Sequence, residues 1–470
     1  MTLAGAAQPF VDDRWSEIVP VLEDYIRIPN KSPIFDPEWE AHGHMERAVE
    51  LISGWLQAQG VDGMQLSVHR LPGLTPVIVC EVPATDPEAT GTVLLYGHLD
   101  KQPEMTGWLD GYGPWEPRLD GDRLYGRGAG DDGYAAFAAL TAIRAVREQG
   151  GRHARCIVLI EASEESGSPD LPAHIDALAD TLGAIDLVVC LDSGCSDYDR
   201  LWVTTSLRGL VGFDVRVDVL TEGVHSGASG LVPSSFRILR ALLSRIEDED
   251  TGRVLLPGLH VDIPPERVEQ AKAAAAALGD EVEGEYPFAG ATRPMTDDPA
   301  EQILATTWRP ALSVTGLAGA PEPQDAGNVL RPYTTAKLSM RVPPTCDEHR
   351  ALELLTEALT TDPPSGAVVT VSGREAGPGW DAPPTATWLS AAIEEASFAA
   401  FGQPPGALGI GGSIPFMAML GQRFPDAQFL VTGVMGPGSN AHGPNEFLDL
   451  PTARRVTACV AAVLDAHARR

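Results

Sequence analysis

The sequence predicts an α/β protein, a mainly parallel sheet with helices on both faces, interrupted by a smaller inserted α+β domain. Three observations carry this. The apolar runs TVLLYGH (92–98), CIVLIEAS (156–163) and DLVVCLDSG (186–194) alternate with helix-length segments, as in βαβ units. From about Leu207 the runs change to period-two alternation. From Thr385 the first style resumes. The domains expected are therefore one domain in two parts, 1–206 and 385–470, with 207–384 inserted. A length of 470 residues exceeds what one ordinary core supports, which agrees with two domains.

In chain order, Ile18, Leu22 and Ile26 have helical spacing over 10–27, where Pro20 predicts a kink or a late start. A second amphipathic helix is expected over 44–59, ending at Gly60. MQLSVHRL, PVIVCEV and TVLLYGH read as successive strands. YAAFAALTAIRAVREQ (134–149) reads as a helix stopped by Gly150 and Gly151. A helical patch over 171–182 separates the next two strands. In the insert, LWVTTSLRG and LVGFDVRVDV alternate as strands, and TEGVHSGASGLVP is a loop before the helix SSFRILRALLSRI. The stretch 247–301 reads as irregular and acidic, with one Ala-rich helix over 270–278. ALSVTGL and TTAKLSMRVPP return as strands, followed by a helix over 348–359 and the strand AVVTVSG. The last part reads as a helix to Phe401, then ALGIGGSIPFMAML as strand, Gly-rich turn and helix start. The strand AQFLVTGVM, the loop GPGSNAHGPNEFLDL and a final helix over 451–468 complete it. No internal repeat or low-complexity linker is evident.

Composition excludes several classes. The hydrophobic fraction of 44% is that of a globular protein. The net charge of −31 repels phosphate backbones and anionic membranes, so no nucleic-acid or membrane partner is expected. The six cysteines are scattered, without a C-x-x-C pair, which suits a reducing compartment. MTLAGAAQPFVDDRW lacks a basic region followed by an apolar core, and no apolar run has membrane-spanning length. A cytoplasmic protein is expected.

The polar residues at the strand ends carry the chemistry. His98 ends one strand, Asp131 and Asp132 open a helix, Glu164 and Glu165 follow the next strand, and Asp192 follows a third. His442 lies in the loop after the last strand. Taken singly, Asp131 is a helix cap, the glutamates a solvated turn and Asp192 an Asx turn. Together they gather where open α/β sheets bind ligands, outside the carboxyl ends of the strands. Mixed imidazole and carboxylate donors fit zinc, or manganese or cobalt, and the absence of thiols argues against a structural zinc site. The donors exceed one zinc's four, which points to two metals sharing a bridge.

Seven motifs in order, GHLDKQP, GRGAGDDG, EASEESGS, CLDSG, EGVHSG, GGSIP and SNAHGPNE, resemble the di-metal exopeptidases related to carnosinase and cytosolic nonspecific dipeptidase. The wider group includes carboxypeptidase G, aminoacylase and succinyl-diaminopimelate desuccinylase. The resemblance covers most of the chain outside 247–301. It implies a zinc-exopeptidase-like catalytic domain with an inserted lid and dimerisation domain. It also implies that Asp131 bridges two metals, with His98 and Asp192 on one and Glu165 and His442 on the other. Asp100 would orient an imidazole, and Glu164 would be the general base and later the acid. His225, Arg341, Ser413 and Asn328 match substrate-binding positions. The implied assembly is a homodimer in which His225 reaches the partner's site. One departure is Gly133, where many relatives have Lys. The resemblance implies two divalent ions, zinc first, and hydrolysis of a dipeptide or short peptide. The alternative is an N-acyl amino acid amidohydrolase with the same site. A non-catalytic scaffold is disfavoured because no ligand or base is lost. A di-metal phosphatase or nuclease is disfavoured by the charge and by the lack of a phosphate-cradling Gly-Lys loop.

Overall fold

The computed structural model describes residues 2–280, 282 and 286–470, so four positions of the 247–301 stretch (281 and 283–285) lie outside the described residues. The chain divides into two compact units. One comprises Met1–Thr205, Ala382–Leu408 and Met419–Arg470; the other comprises Ser206–Asp381 and Gly409–Ala418. The second unit thus takes in a segment that the sequence pattern assigns to the first domain.

The sheet of the first unit contains β1 (Gln65–His69), β2 (Val77–Val82), β3 (Thr92–His98), β4 (Arg155–Glu161), β5 (Leu187–Cys190) and β6 (Gln428–Val431), in the spatial order β1-β2-β4-β3-β5-β6. β3 runs parallel to β4 and β5, and β6 parallel to β5, whereas β1 and β2 add antiparallel. Every residue of β3 is buried, as a central strand covered on both faces must be. The register pairs His98 with Glu161, so β3 and β4 end level. That alignment puts the chemistry-bearing loops at one edge of the sheet.

Helices α1 (Leu3–Ile26), α2 (His44–Ala58), α3 (Ala135–Glu148), α4 (Thr387–Phe401) and α5 (Leu450–Arg469) share an apolar core with alternate residues of the strands, one face of the sheet. Contrary to the late start expected from Pro20, α1 runs unbroken from Leu3 through both Pro9 and Pro20. The reason is burial. A proline inside a helix costs about 3 kcal/mol, while each large side chain fully buried contributes about 1.5–3 kcal/mol. Trp15, Ile18, Leu22, Tyr25 and Ile26 are all at 0% exposure. Thr2 caps the start, its Oγ1 accepting from the Gly5 N–H at 3.2 Å.

The second unit has an antiparallel four-stranded sheet in the order Ala311–Ala318, Tyr333–Val342, Gly209–Asp218 and Val368–Gly377. Alternate residues Val211, Phe213, Val215 and Val217 are buried. They face helices Ser235–Leu243 and Glu348–Thr360. The Ala-rich helix begins earlier than expected, at Pro265. A further helix, Pro299–Thr307, begins at the end of the stretch read as irregular and runs beyond it. Its start was legible after all: Asp298 accepts from the Ala300 N–H at 3.0 Å and Pro299 occupies the first turn. No helix among the described residues is long and apolar enough to cross a membrane.

The end of α1 is fastened to the loop that follows His98. Lys101 is fully buried, and its Nζ donates to the carbonyls of Tyr25 at 2.8 Å and Ile28 at 2.9 Å. The same Nζ stands 3.9 Å from the Tyr25 ring centroid, and the Tyr25 hydroxyl donates to the Leu99 carbonyl at 2.7 Å. Burial holds the Lys101 ammonium well below its ordinary pKa. Replacing this residue leaves helix-end carbonyls buried without donors. Lys101→Met should therefore lower stability by about 1–3 kcal/mol, read from urea unfolding midpoints.

Candidate metal centre

The site is built on three strand ends of the first unit. His98 is the last residue of β3, and its ring Nδ1 hydrogen-bonds the Asp100 carbonyl at 3.1 Å. That contact makes Nδ1 the donor and turns Nε2 towards the carboxylates. Nε2 lies 3.2 Å from Asp131 Oδ1, 3.8 Å from Asp192 Oδ2 and 4.0 Å from Glu164 Oε2. On the other side, His442 Nε2 lies 3.0 Å from Asp131 Oδ2 and 3.3 Å from Glu165 Oε2. Each oxygen of Asp131 therefore faces a different imidazole.

The loop after β4 forms a short 3₁₀ turn, Glu164–Ser166, which presents the two glutamates. Its first N–H groups are held by Asp100. One carboxylate oxygen accepts from the Glu164 N–H at 3.1 Å and the other from the Glu165 N–H at 3.0 Å. The Asp100 carboxylate also lies 3.5 Å from His98 Nδ1, but the imidazole's hydrogen bond goes to its main-chain carbonyl. Asp100 thus organises a backbone turn as well as standing behind the imidazole, a second task that spacing in the sequence does not reveal.

The adjacent glutamates differ in environment. The Glu165 side chain is 3% exposed and accepts from Gln102 Nε2 at 2.6 Å. Glu164 is 13% exposed, and among the described residues no group hydrogen-bonds its carboxylate. Gln102 was quoted in the sequence only as part of a motif; its contact crosses 63 residues and has no local signature. Asp132 is a second addition. It is fully buried, its Oδ2 accepts from the His98 N–H at 3.3 Å, and its Oδ1 has no hydrogen-bond partner among the described residues.

Electrostatics test whether cations fit here. Burial, and then the charge of Asp192, raise Asp132 and Glu164 well above the carboxylate range. Burial and the charge of Asp131 do the same to Glu165. Burial would also raise Asp131, but hydrogen bonds from His442 and His98 draw it below its ordinary value. Burial would lower His98, yet Asp100 and Asp131 beside it lift it well above an ordinary imidazole. So many crowded acids, one with an orphaned oxygen, are what a divalent cation relieves. Two donor groups meet the distance requirement: His98, Asp131 and Glu165, and His98, Asp132 and Asp192, with ligating atoms within 4.8 Å. The residues fit a metal.

The space around the pair also explains Gly97 and Gly133. A Cβ on Gly97 would lie 2.5 Å from Ala135 Cβ and 2.7 Å from Asp132 Oδ2. At Gly133 a Cβ would lie 2.3 Å from the Tyr25 ring and 2.4 Å from the Gly128 carbonyl oxygen. This backbone has no room for a side chain at 133, and a buried cation, Lys101, stands against the same ring instead.

The remaining candidates lie in the second unit, in two pairs. His225 is exposed and pairs across a two-stranded ribbon with Val329, next to Asn328, whose carbonyl accepts from the Ser226 N–H at 2.9 Å. Its Nδ1 accepts from the Gly227 N–H at 3.0 Å, which leaves Nε2 as the donor. Arg341 Nη1 donates to Ser413 Oγ at 3.1 Å, and Ser413 donates to the Arg208 carbonyl at 2.6 Å.

Residues 94–466 match the model of peptidase family M20/M25/M40. A cysteinylglycine-S-conjugate dipeptidase of Corynebacterium striatum is 29% identical over 439 residues, 90% of this chain and 92% of that protein. The human β-Ala-His dipeptidase is 29% identical over 352 residues, 71% of this chain and 67% of its own. In fold, the crystal structure of human carnosine dipeptidase 1 superposes with a TM-score of 0.78 at 23% identity, covering all of both chains.

The crowding has a measurable pH consequence. Burial pushes Asp192 up to about 6, with His98 opposing and Asp131 adding to the rise. A carboxyl in the unfolded chain titrates near ~3.9. A folded value raised above that contributes stability below pH ~4, which is lost as pH rises through about 6. In metal-free protein, Asp192→Asn should therefore gain stability relative to the parent between about pH 4 and pH 7. Urea midpoints at the two pH values check this, and an unchanged difference would exclude it.

Proposed function

The chain belongs to peptidase family M20/M25/M40, and on that premise we propose that it cleaves dipeptides or short peptides with two divalent cations, zinc ahead of manganese or cobalt. It is a metallopeptidase. The observation that carries the two-cation reading is the Asp131 carboxylate, which has one oxygen towards each of two imidazoles. Both named relatives are dipeptidases, which favours the dipeptide over the N-acyl amino acid.

In this reading His98, Asp192 and Asp131 would hold one cation, and Asp131, Glu165 and His442 would hold the other, with Asp132 beside the first group of residues. Bound there, the cations would polarise a carbonyl and acidify a water molecule. Glu164, whose carboxylate no group among the described residues hydrogen-bonds, takes the proton from the attacking water. It then passes a proton to the leaving amine nitrogen as the C–N bond breaks. Asp100 and Gln102 keep the two glutamates apart in role, by fixing their backbone and by holding Glu165. The His225 Nε2 donates to the developing oxyanion, with Asn328 beside it. Arg341, supported by Ser413, presents a fork that matches a substrate carboxylate. The scattered cysteines, without a C-x-x-C pair, support a cytoplasmic setting.

We further propose a homodimer in which His225 serves the partner's metal site. Its exposed imidazole and the edge strand Ala311–Ala318, with Val314 and Leu317 exposed, support this.

Two experiments test the reading. Asp131→Ala should lose both ions by elemental analysis, and Glu164→Gln should retain them while kcat falls at least ~100-fold. A Glu164→Gln enzyme at the parental rate would transfer the base to another residue. For the dimer, His225→Ala and Glu164→Gln should each be nearly inactive. Mixed with subunit exchange, they should recover roughly a quarter of parental activity, because about half the dimers are mixed and each has one intact site. Exchange demonstrated by a tag without recovered activity would remove His225 from the partner's site.

A further inference from the structure

We propose that the buried pair Arg127–Glu446 is the positioning device of the metal centre, fixing Asp131 and His442 from behind; the inference rests on the two-cation reading above. Both side chains are 1% exposed, and Arg127 Nη1 donates to Glu446 Oε2 at 2.6 Å. The other oxygen, Oε1, accepts from the N–H groups of Gly128 at 3.0 Å, Gly130 at 3.3 Å and Asp131 at 3.3 Å. One carboxylate thus collects the backbone that ends on the bridging aspartate.

The guanidinium reaches the other loops. Arg127 Nη2 donates to the Gly443 carbonyl at 2.7 Å and Nε to the Pro103 carbonyl at 3.1 Å. Gly443 follows His442, whose backbone has φ of 65°, in the left-handed region that a histidine holds only when its surroundings impose it. Pro103 closes the stretch that begins with His98. The pair therefore joins the stretches carrying His98, Asp131 and His442, from 97–103, 126–133 and 439–446.

The chemistry explains why the pair is ionic. Glu446 meets four donors, and a carboxylate is acceptor-only, so all four are satisfied. A glutamine in its place would aim its own N–H₂ group at one of them. Arg127 meets one carboxylate and two carbonyls in different directions, which a guanidinium fork can span and an ammonium cannot. A merely structural ion pair could be exchanged for neutral residues with little loss. A positioning pair could not, because the N–H of Asp131 would be released.

The test is a cobalt(II) titration of the metal-free protein, followed by visible absorption. The parent should take up two ions. Glu446→Gln should weaken both by about 10–100-fold, the range for residues that orient metal ligands, since Asp131 serves each ion. Arg127→Lys keeps a charge beside Glu446 but loses the reach to Gly443. It should weaken chiefly the ion held by His442 and Glu165, giving a two-phase titration. Should a single variant fail to fold, Arg127→Met with Glu446→Gln removes both charges. With parental near-ultraviolet circular dichroism, it should still bind cobalt more weakly. Parental affinity in the folded variants overturns the positioning role. A parent that does not take up two ions overturns the two-cation reading, and this inference with it.

Discussion

Five carboxylates, Asp131, Asp132, Glu164, Glu165 and Asp192, converge around two imidazoles at one edge of a sheet, and their mutual repulsion governs the first unit. Left alone, most of them are forced towards their neutral forms by burial and by one another. Asp131 is the exception, because the Nε2 of each imidazole stands beside one of its oxygens. That asymmetry marks the residue shared by both halves of the site. It also separates Glu164 from Glu165: identical side chains in sequence become one claimed and one free carboxylate.

Such crowding persists only if the backbone does not relax away from it, and the surrounding contacts supply the restraint. The level ends of β3 and β4 bring His98 and the glutamate turn together without a long loop. Asp100 then takes both N–H groups that open that turn. Lys101, the next residue, fastens the same loop to the end of α1. GHLDKQP therefore holds one candidate ligand while its other polar side chains, Asp100, Lys101 and Gln102, serve as braces, which is why so short a stretch carries so many functions. The close approach of Gly97 to Asp132 and of Gly133 to Tyr25 leaves no slack on the opposite side.

Much of this was legible in the sequence because the relevant signals are local. Apolar runs ending in His98, in Glu161 before the glutamate pair, and in Cys190 before Asp192 announce both the strands and the edge at which they gather. Pairing over long chain distances is not local, and there the sequence was silent. Gln102 to Glu165, Asp100 to the glutamate turn, and Glu446 to Asp131 each join segments with no reciprocal pattern. The unbroken α1 was hidden for a different reason: proline's cost is written in the sequence, whereas the burial that offsets it is tertiary. The grouping of Gly409–Ala418 with the second unit is likewise a contact property, invisible to a reading that follows chain order.

Net charge sums over the whole chain and does not describe a single site, as the second unit shows. Arg208 is buried, and its guanidinium donates to the carbonyls of Gly411, Ala305 and Arg309. Burial, reinforced by the charge of Arg341, draws it down to about 10. Carbonyl dipoles solvate a cation without cancelling it, so the charge remains available to an anion. Among the described residues neither Arg208 nor Arg341 has a carboxylate partner, although the chain as a whole carries −31. An acidic protein can therefore present an unshared pair of cations to a small carboxylate while repelling a polyanion. A phosphate backbone meets the summed field over many ångströms, whereas a small carboxylate beside Arg208 and Arg341 would meet the two charges nearest to it.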